Sequence, residues 1–250
     1  MATRRFPLAQ LPPMKKSLLL EICAETLDAA LAAERGGADR IELCENLRAG
    51  GVTPTAELMR AVRWQVQIPI FVMIRPRAGD FCYSETEFDQ MKGEIGIAKS
   101  AGMDGAVFGI LKGDSTVDVQ RNSELVNLAR PLPVTFHRAF DETPNLLAAL
   151  EDVITAGAAR ILTSGGKPHA EQGTSTIVKL IGASRSRIGI LAGGGISAAN
   201  LENILQATHA REYHSGLSTT IPYPRSDNGK FEAGVKRLAE ILKQRSRDDR

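Results

Sequence analysis

The chain is short of cysteine, aromatics and long apolar runs, and each shortage excludes something. Three irregularly spaced cysteines among 250 residues make no disulfide framework, and no C-x-x-C or Cys/His cluster points to structural zinc. Reduced thiols in a cytoplasm are the expectation. One tryptophan and three tyrosines leave little for a base-stacking surface. A net charge of +2 without a basic stripe argues against a nucleic-acid partner. No stretch approaches the roughly 18 apolar residues of a membrane span. The segment MKKSLLLEICAE from Met14 imitates a signal peptide, but Glu21 interrupts its apolar run, well short of the roughly 7–15 residues needed. The preceding MATRRFPLAQLPP has no period. Residues 1–17 therefore read as a loose tail ahead of one domain over 18–246, with Met14 an alternative first residue.

What is present is alternation. Short apolar or β-branched runs at 18–23, 39–44, 70–75, 105–110, 133–137, 160–163, 187–192 and 211–214 start about 20 to 35 residues apart. Between them lie helical patterns at 26–38, 86–103 and 145–158. In the last, Leu146, Leu147, Leu150, Val153 and Ile154 recur at helical spacing. RGGADRI, SAGMDGAV and TAGAARI each put glycine between a helix and the next strand, where a left-handed cap is needed. Strand then helix, repeated, predicts a parallel sheet. Eight such units predict an α/β fold, a single closed (β/α)8 TIM-like barrel. A doubly wound open sheet is the alternative.

In such a barrel, function gathers at the C-terminal ends of the strands. LLLEIC and RIELC both end Glu-x-Cys, and in a strand positions i and i+2 share a face. Glu21 with Cys23, and Glu42 with Cys44, therefore point the same way on adjacent strands. The third run ends in IRPRAGDFCY, carrying Arg75, Arg77 and Asp80. The fifth ends in TFHRAFD, carrying His137, Arg138 and Asp141. The sixth ends in TSGG with Ser164 and Gly165, the seventh in GGGIS with Gly194 and Gly195, and the eighth in HSG with His214 and Ser215.

Two chemistries can use this mouth. Thiolates select Cu(I) or zinc over hard cations. Strands lie about 4.8 Å apart, and two thiolates on one ion are separated by about twice a 2.3 Å bond, so Cys23 and Cys44 could hold a two-coordinate ion. Alternatively, the glycine loops after the sixth and seventh strands offer backbone N–H groups to an anion. There His137 would act as acid or base, Arg75 and Arg138 would clamp, and Glu21 or Glu42 would relay a proton, with Asp141 completing the catalytic set. Asp80, Ser164, Gly165, Gly194, Gly195, His214 and Ser215 would then line the site of a small phosphorylated or carboxylated metabolite. Plainer readings stand beside these: buried cysteine is often only a small hydrophobe, Glu42 could pair with Arg75, and His137 could be a satisfied core histidine. Cys82, His169 and His209 show no partner that would make them functional.

The strings GADRIELC, GGVTP, IRPRAGDFCY, VTFHRAFD, ILTSG and HSG, in this order and spacing, resemble the CutC family of copper homeostasis proteins over most of the chain. The resemblance implies a TIM-like barrel, a cytoplasmic location and a role in copper tolerance or trafficking, with Cys23 and Cys44 at the positions proposed to meet Cu(I). Two departures stand out. Ala78 replaces a customary glycine, and HSGLSTTIPYP lacks the small-residue-then-arginine continuation. A copper ion or a small anionic metabolite is the expected partner, and the exposed helical faces could support a homodimer.

Overall fold

The computed structural model describes residues 18–217 and 227–248. The expected tail over 1–17, Met14 within it, and most of the departure after HSG at 218–226 lie outside the described residues. The described strands and helices alternate as β1 (Leu19–Ala24), α1 (Leu27–Gly36), β2 (Arg40–Leu43), α2 (Ala56–Gln65), β3 (Ile70–Met73), α3 (Glu85–Ser100), β4 (Gly105–Phe108), α4 (Val119–Ala129), β5 (Val134–Phe136), α5 (Leu146–Ala156), β6 (Arg160–Thr163), α6 (Thr174–Ser184), β7 (Gly189–Gly193), α7 (Leu201–Thr208), β8 (Glu212–Ser215) and α8 (Asn228–Asp248). The strands pair in parallel in chain order, and β8 closes on β1. This closure distinguishes the barrel from the doubly wound sheet.

The local reasons are visible at the helix ends. Thr26 accepts a hydrogen bond from the Ala29 N–H to start α1, and Ser84 with Glu87 forms a reciprocal capping box on α3. Gly37 and Gly157 end α1 and α5 at φ 92° and 89°, a region that costs a side-chain-bearing residue energy. Outward-facing strand residues such as Leu20, Ile22, Ile41, Leu43, Ile70 and Val72 are buried in the layer between sheet and helices. Each such burial contributes about 1.5–3 kcal/mol.

The inward faces are different. The register sets Glu21 beside both Arg40 and His214, and Cys23 beside Glu42. Arg40 bridges Glu21 and Glu212, the latter at 2.7 Å, and Arg160 reaches Glu212 at 3.3 Å. The Phe71 ring lies 4.8 Å from each of the Arg40 and Arg160 guanidinium carbons. The barrel is thus filled partly by an ionic network that clasps one aromatic ring. That ring needs Gly105, because a Cβ there would lie 2.5 Å from Phe71 ring atoms.

Gly105→Ala is therefore expected to lower stability by about 1–3 kcal/mol. Gly96→Ala, on an open face of α3 with nothing within 4 Å, should instead raise it by about 0.5–1 kcal/mol. Urea unfolding midpoints of the two variants would move in opposite directions.

Candidate functional site

Cys23, near the end of β1, and Cys44, the residue after β2, bring their thiols into contact. Cys23 Sγ and Cys44 Sγ are 3.3 Å apart, neither is in a disulfide, and neither is exposed. Phe71, Met73 and Val107 pack with them into a small apolar cluster inside the barrel, with Leu47 against it. Gly51, at φ 83°, lies over Cys44, and a Cβ there would meet the cysteine Cβ and Sγ at 3.3 Å. Met73 brings a soft thioether to the same cluster. Sequence reading passed over it, since a methionine ending an apolar strand looks like ordinary core.

Beside the thiols sits a second group. His214 Nδ1 is 2.8 Å from Glu21 Oε1, and His214 Nε2 is 3.7 Å from Glu42 Oε2. Burial pushes the Glu21 carboxyl upward, but the Arg40 charge and His214 outweigh it and leave it at about 2. Glu42 goes the other way: burial raises it, and the nearby Glu21 charge adds to the rise. Burial pushes His214 down, yet the Glu42 charge and the Glu21 hydrogen bond leave it above its ordinary value. Glu42 Oε1 is buried with no hydrogen-bond partner among the described residues. Glu42 therefore faces His214, while Arg75, the ion-pair partner considered from sequence, is spent elsewhere.

Arg75 donates to the carbonyls of Ala49, Gly51 and Gly79 at 3.3, 3.0 and 2.7 Å. It pins the loops after β2 and β3, and only its Nε is left without a partner. Phe81 stands between Arg75 and His137, its ring centroid 4.8 Å from the guanidinium carbon and from the imidazole centroid. His137 Nδ1 accepts from the Ala139 N–H at 3.3 Å, so the neutral ring carries its proton on Nε2, which is buried and unpartnered. Asp80 lies outside this group, largely exposed and paired with Arg77 at 3.0 Å.

Arg138, Asp141 and Ser164 form a closed knot. Arg138 Nε donates to Asp141 Oδ2 at 2.7 Å, and its Nη2 donates to Ser164 Oγ at 2.8 Å. Asp141 also accepts from Thr163 Oγ1 at 2.6 Å, from the Ser164 N–H at 3.0 Å and from the Gly166 N–H at 2.8 Å. The Gly165 N–H turns to Thr163 Oγ1 at 2.9 Å. The amides expected to greet an external anion after β6 are thus held by internal side-chain oxygens. After β7, a Cβ on Gly194 would press on Arg138 Nη1 at 2.9 Å, and one on Gly195 on His169 Nδ1 at 2.3 Å. His169, set aside in the sequence reading, therefore lies against the glycine loop. Ser215 Oγ donates to the Ile196 carbonyl at 2.6 Å and ties that loop to β8.

Burial, with the Arg75 charge behind it, holds His137 down at about 3 from an ordinary 6.5. A group depressed in this way supports the fold above pH 6.5 and loses that support as pH falls toward 3. Wild-type stability should drop by up to about 1.4 kcal/mol per pH unit on acidification below 6.5. His137→Gln, which keeps an acceptor for Ala139, should flatten the pH 6.5–4.5 arm of a urea-unfolding series. An unchanged slope would contradict this.

A family model described as the CutC family matches residues 18–219. A human protein named copper homeostasis protein cutC homolog is 48% identical over 202 residues, covering 81% of this chain and 74% of its own. A family protein CutC of Salmonella paratyphi B is 46% identical over 206 residues, 82% of each chain. The crystal structure of a Streptococcus agalactiae copper homeostasis protein CutC superposes with a TM-score of 0.76 at 31% identity, covering 81% of this chain and all of that one. The fold, the matched span and these identities together place the chain in the CutC family.

Proposed function

We propose that the chain serves copper homeostasis by taking up Cu(I) between Cys23 and Cys44 in a reducing cytoplasm. The observation that carries this reading is the preformed thiol pair, with sulfurs 3.3 Å apart in an apolar cluster that also holds Met73. Sulfur ligands select Cu(I), and an interior that excludes water protects a thiolate-bound ion from exchange and oxidation. Two sulfurs on one ion at bonds of about 2.3 Å would stand up to about 4.6 Å apart. Uptake therefore opens the pair by about 1.3 Å, a side-chain rotation rather than a strand movement. Two thiolates this close repel each other, so metal binding and proton release go together.

A second reading, turnover of a small phosphorylated or carboxylated metabolite, is favoured by one observation. Arg75 Nε and His137 Nε2 are buried donors without partners on either side of Phe81. On that reading an anion meets these donors and the Gly194–Gly195 loop rather than the Asp141-bound amides.

Anaerobic titration of Cu(I) against a chromogenic chelator decides between the two. One ion bound tightly by wild type and lost in Cys23→Ser/Cys44→Ser is the expected outcome. Affinity no greater than that of an exposed thiol, or unaffected by the double change, would make the cysteines packing residues and favour the metabolite.

A further inference from the structure

Inside the barrel, Arg40 and Arg160 face Glu21 and Glu212, and Glu42 stands as a third carboxylate beside His214 and Cys23. Glu42 is almost wholly buried, and its Oε1 has no hydrogen-bond partner among the described residues. A carboxylate in such a place is rare unless it is paired or coordinates a metal.

Donor atoms of Glu21, Glu42 and His214 lie within 4.8 Å of one another. Of these, His214 Nε2 and Glu42 Oε2 are 3.7 Å apart, a separation that bonds of about 2.1 Å to one ion would span at an angle of about 120°. Glu21 Oε1 meanwhile holds His214 Nδ1 at 2.8 Å. A carboxylate behind the imidazole fixes its tautomer and turns Nε2 outward, as it does behind metal-bound histidines generally.

We infer that Glu42 and His214, with Glu21 as the orienting carboxylate, form a site for a divalent cation of the manganese–zinc class, adjacent to the thiol pair but with its own ligands. Imidazole and carboxylate donors suit such ions and do not suit Cu(I). The added charge supplies the partner that Glu42 lacks. Positions not filled by the protein remain for water or a small oxygen ligand. The site does not rest on copper binding by Cys23 and Cys44, and either can fail alone.

The test uses the whole chain, stripped of metal with a chelator, and Mn2+ as probe because manganese favours oxygen and nitrogen over sulfur. Loss of the free-ion EPR signal should report one bound Mn2+, and pulsed spectra should show coupling to an imidazole nitrogen. Glu42→Gln and His214→Gln should each weaken binding at least about 10-fold, and Glu21→Gln by about 10- to 100-fold. Cys44→Ser, which leaves Cys23 in place beside Glu42, should bind Mn2+ as wild type does while losing Cu(I). No Mn2+ bound by wild type at millimolar concentration, or a bound ion without nitrogen coupling, overturns the site. So does binding that survives both Glu42→Gln and His214→Gln. Nitrogen coupling is read on wild type, so a variant that fails to fold leaves the test intact.

Discussion

Glu21 is the residue on which the interior of this barrel turns. It is completely buried and charged, with Arg40 on one oxygen and His214 on the other. Buried ion pairs are poor sources of stability, because desolvation offsets most of the attraction. Removing one partner is nevertheless costly, about 3–5 kcal/mol, since it strands the other charge. The network is therefore self-enforcing. Once Glu21 is inside, Arg40 and His214 must be inside, and Arg40 in turn fixes Glu212 and, through it, Arg160. Apolar layers would fill a barrel of this size more cheaply. What the ionic filling adds is orientation: it sets the imidazole of His214 against Glu42, in the strand layer where Cys23 also lies.

Two kinds of ligand chemistry stand side by side as a result. The thiol cluster is dry and soft, lined by Phe71, Met73 and Val107. The carboxylate–imidazole group is charged and hard. They touch through the register pair of Cys23 and Glu42. The closeness arises from a period of two acting on two adjacent strands. Glu-x-Cys repeated at neighbouring positions must place both residue types on the inward face, unless the register slips by one.

That much was legible before any coordinates, because alternation and glycine punctuation are local signals. Five of the eight expected runs enclose their strand and the other three, at β1, β7 and β8, stop one residue short of its end, while α1, α3 and α5 lie within one residue of, or inside, the expected helical stretches. What escaped sequence reading depends on partners distant in the chain. Arg40, Arg160 and Glu212 sit at strand starts, where a charge ordinarily meets solvent. Their inward direction follows from counting two residues back from Glu42, Leu162 and His214, but their tolerance of burial follows only from one another. Arg75 is the converse case. An arginine at a strand end looks like a clamp for substrate, yet loop carbonyls take most of its donors.

Asp141 carries the same lesson to the anion seat. Glycine loops after late strands in a barrel commonly cradle phosphate because their N–H groups converge on an acceptor. Here the Ser164 and Gly166 amides do converge, but on the Asp141 carboxylate, which is held by Arg138 as a bound anion would be. A carboxylate supplied by the chain satisfies the loop permanently and at no cost in association entropy. An external anion would have to displace it against several hydrogen bonds and an ion pair. The likeness of a loop to a phosphate cradle therefore says nothing about ligand until its amides have been counted. At this mouth, the groups still lacking partners among the described residues include Glu42, Arg75 and His137.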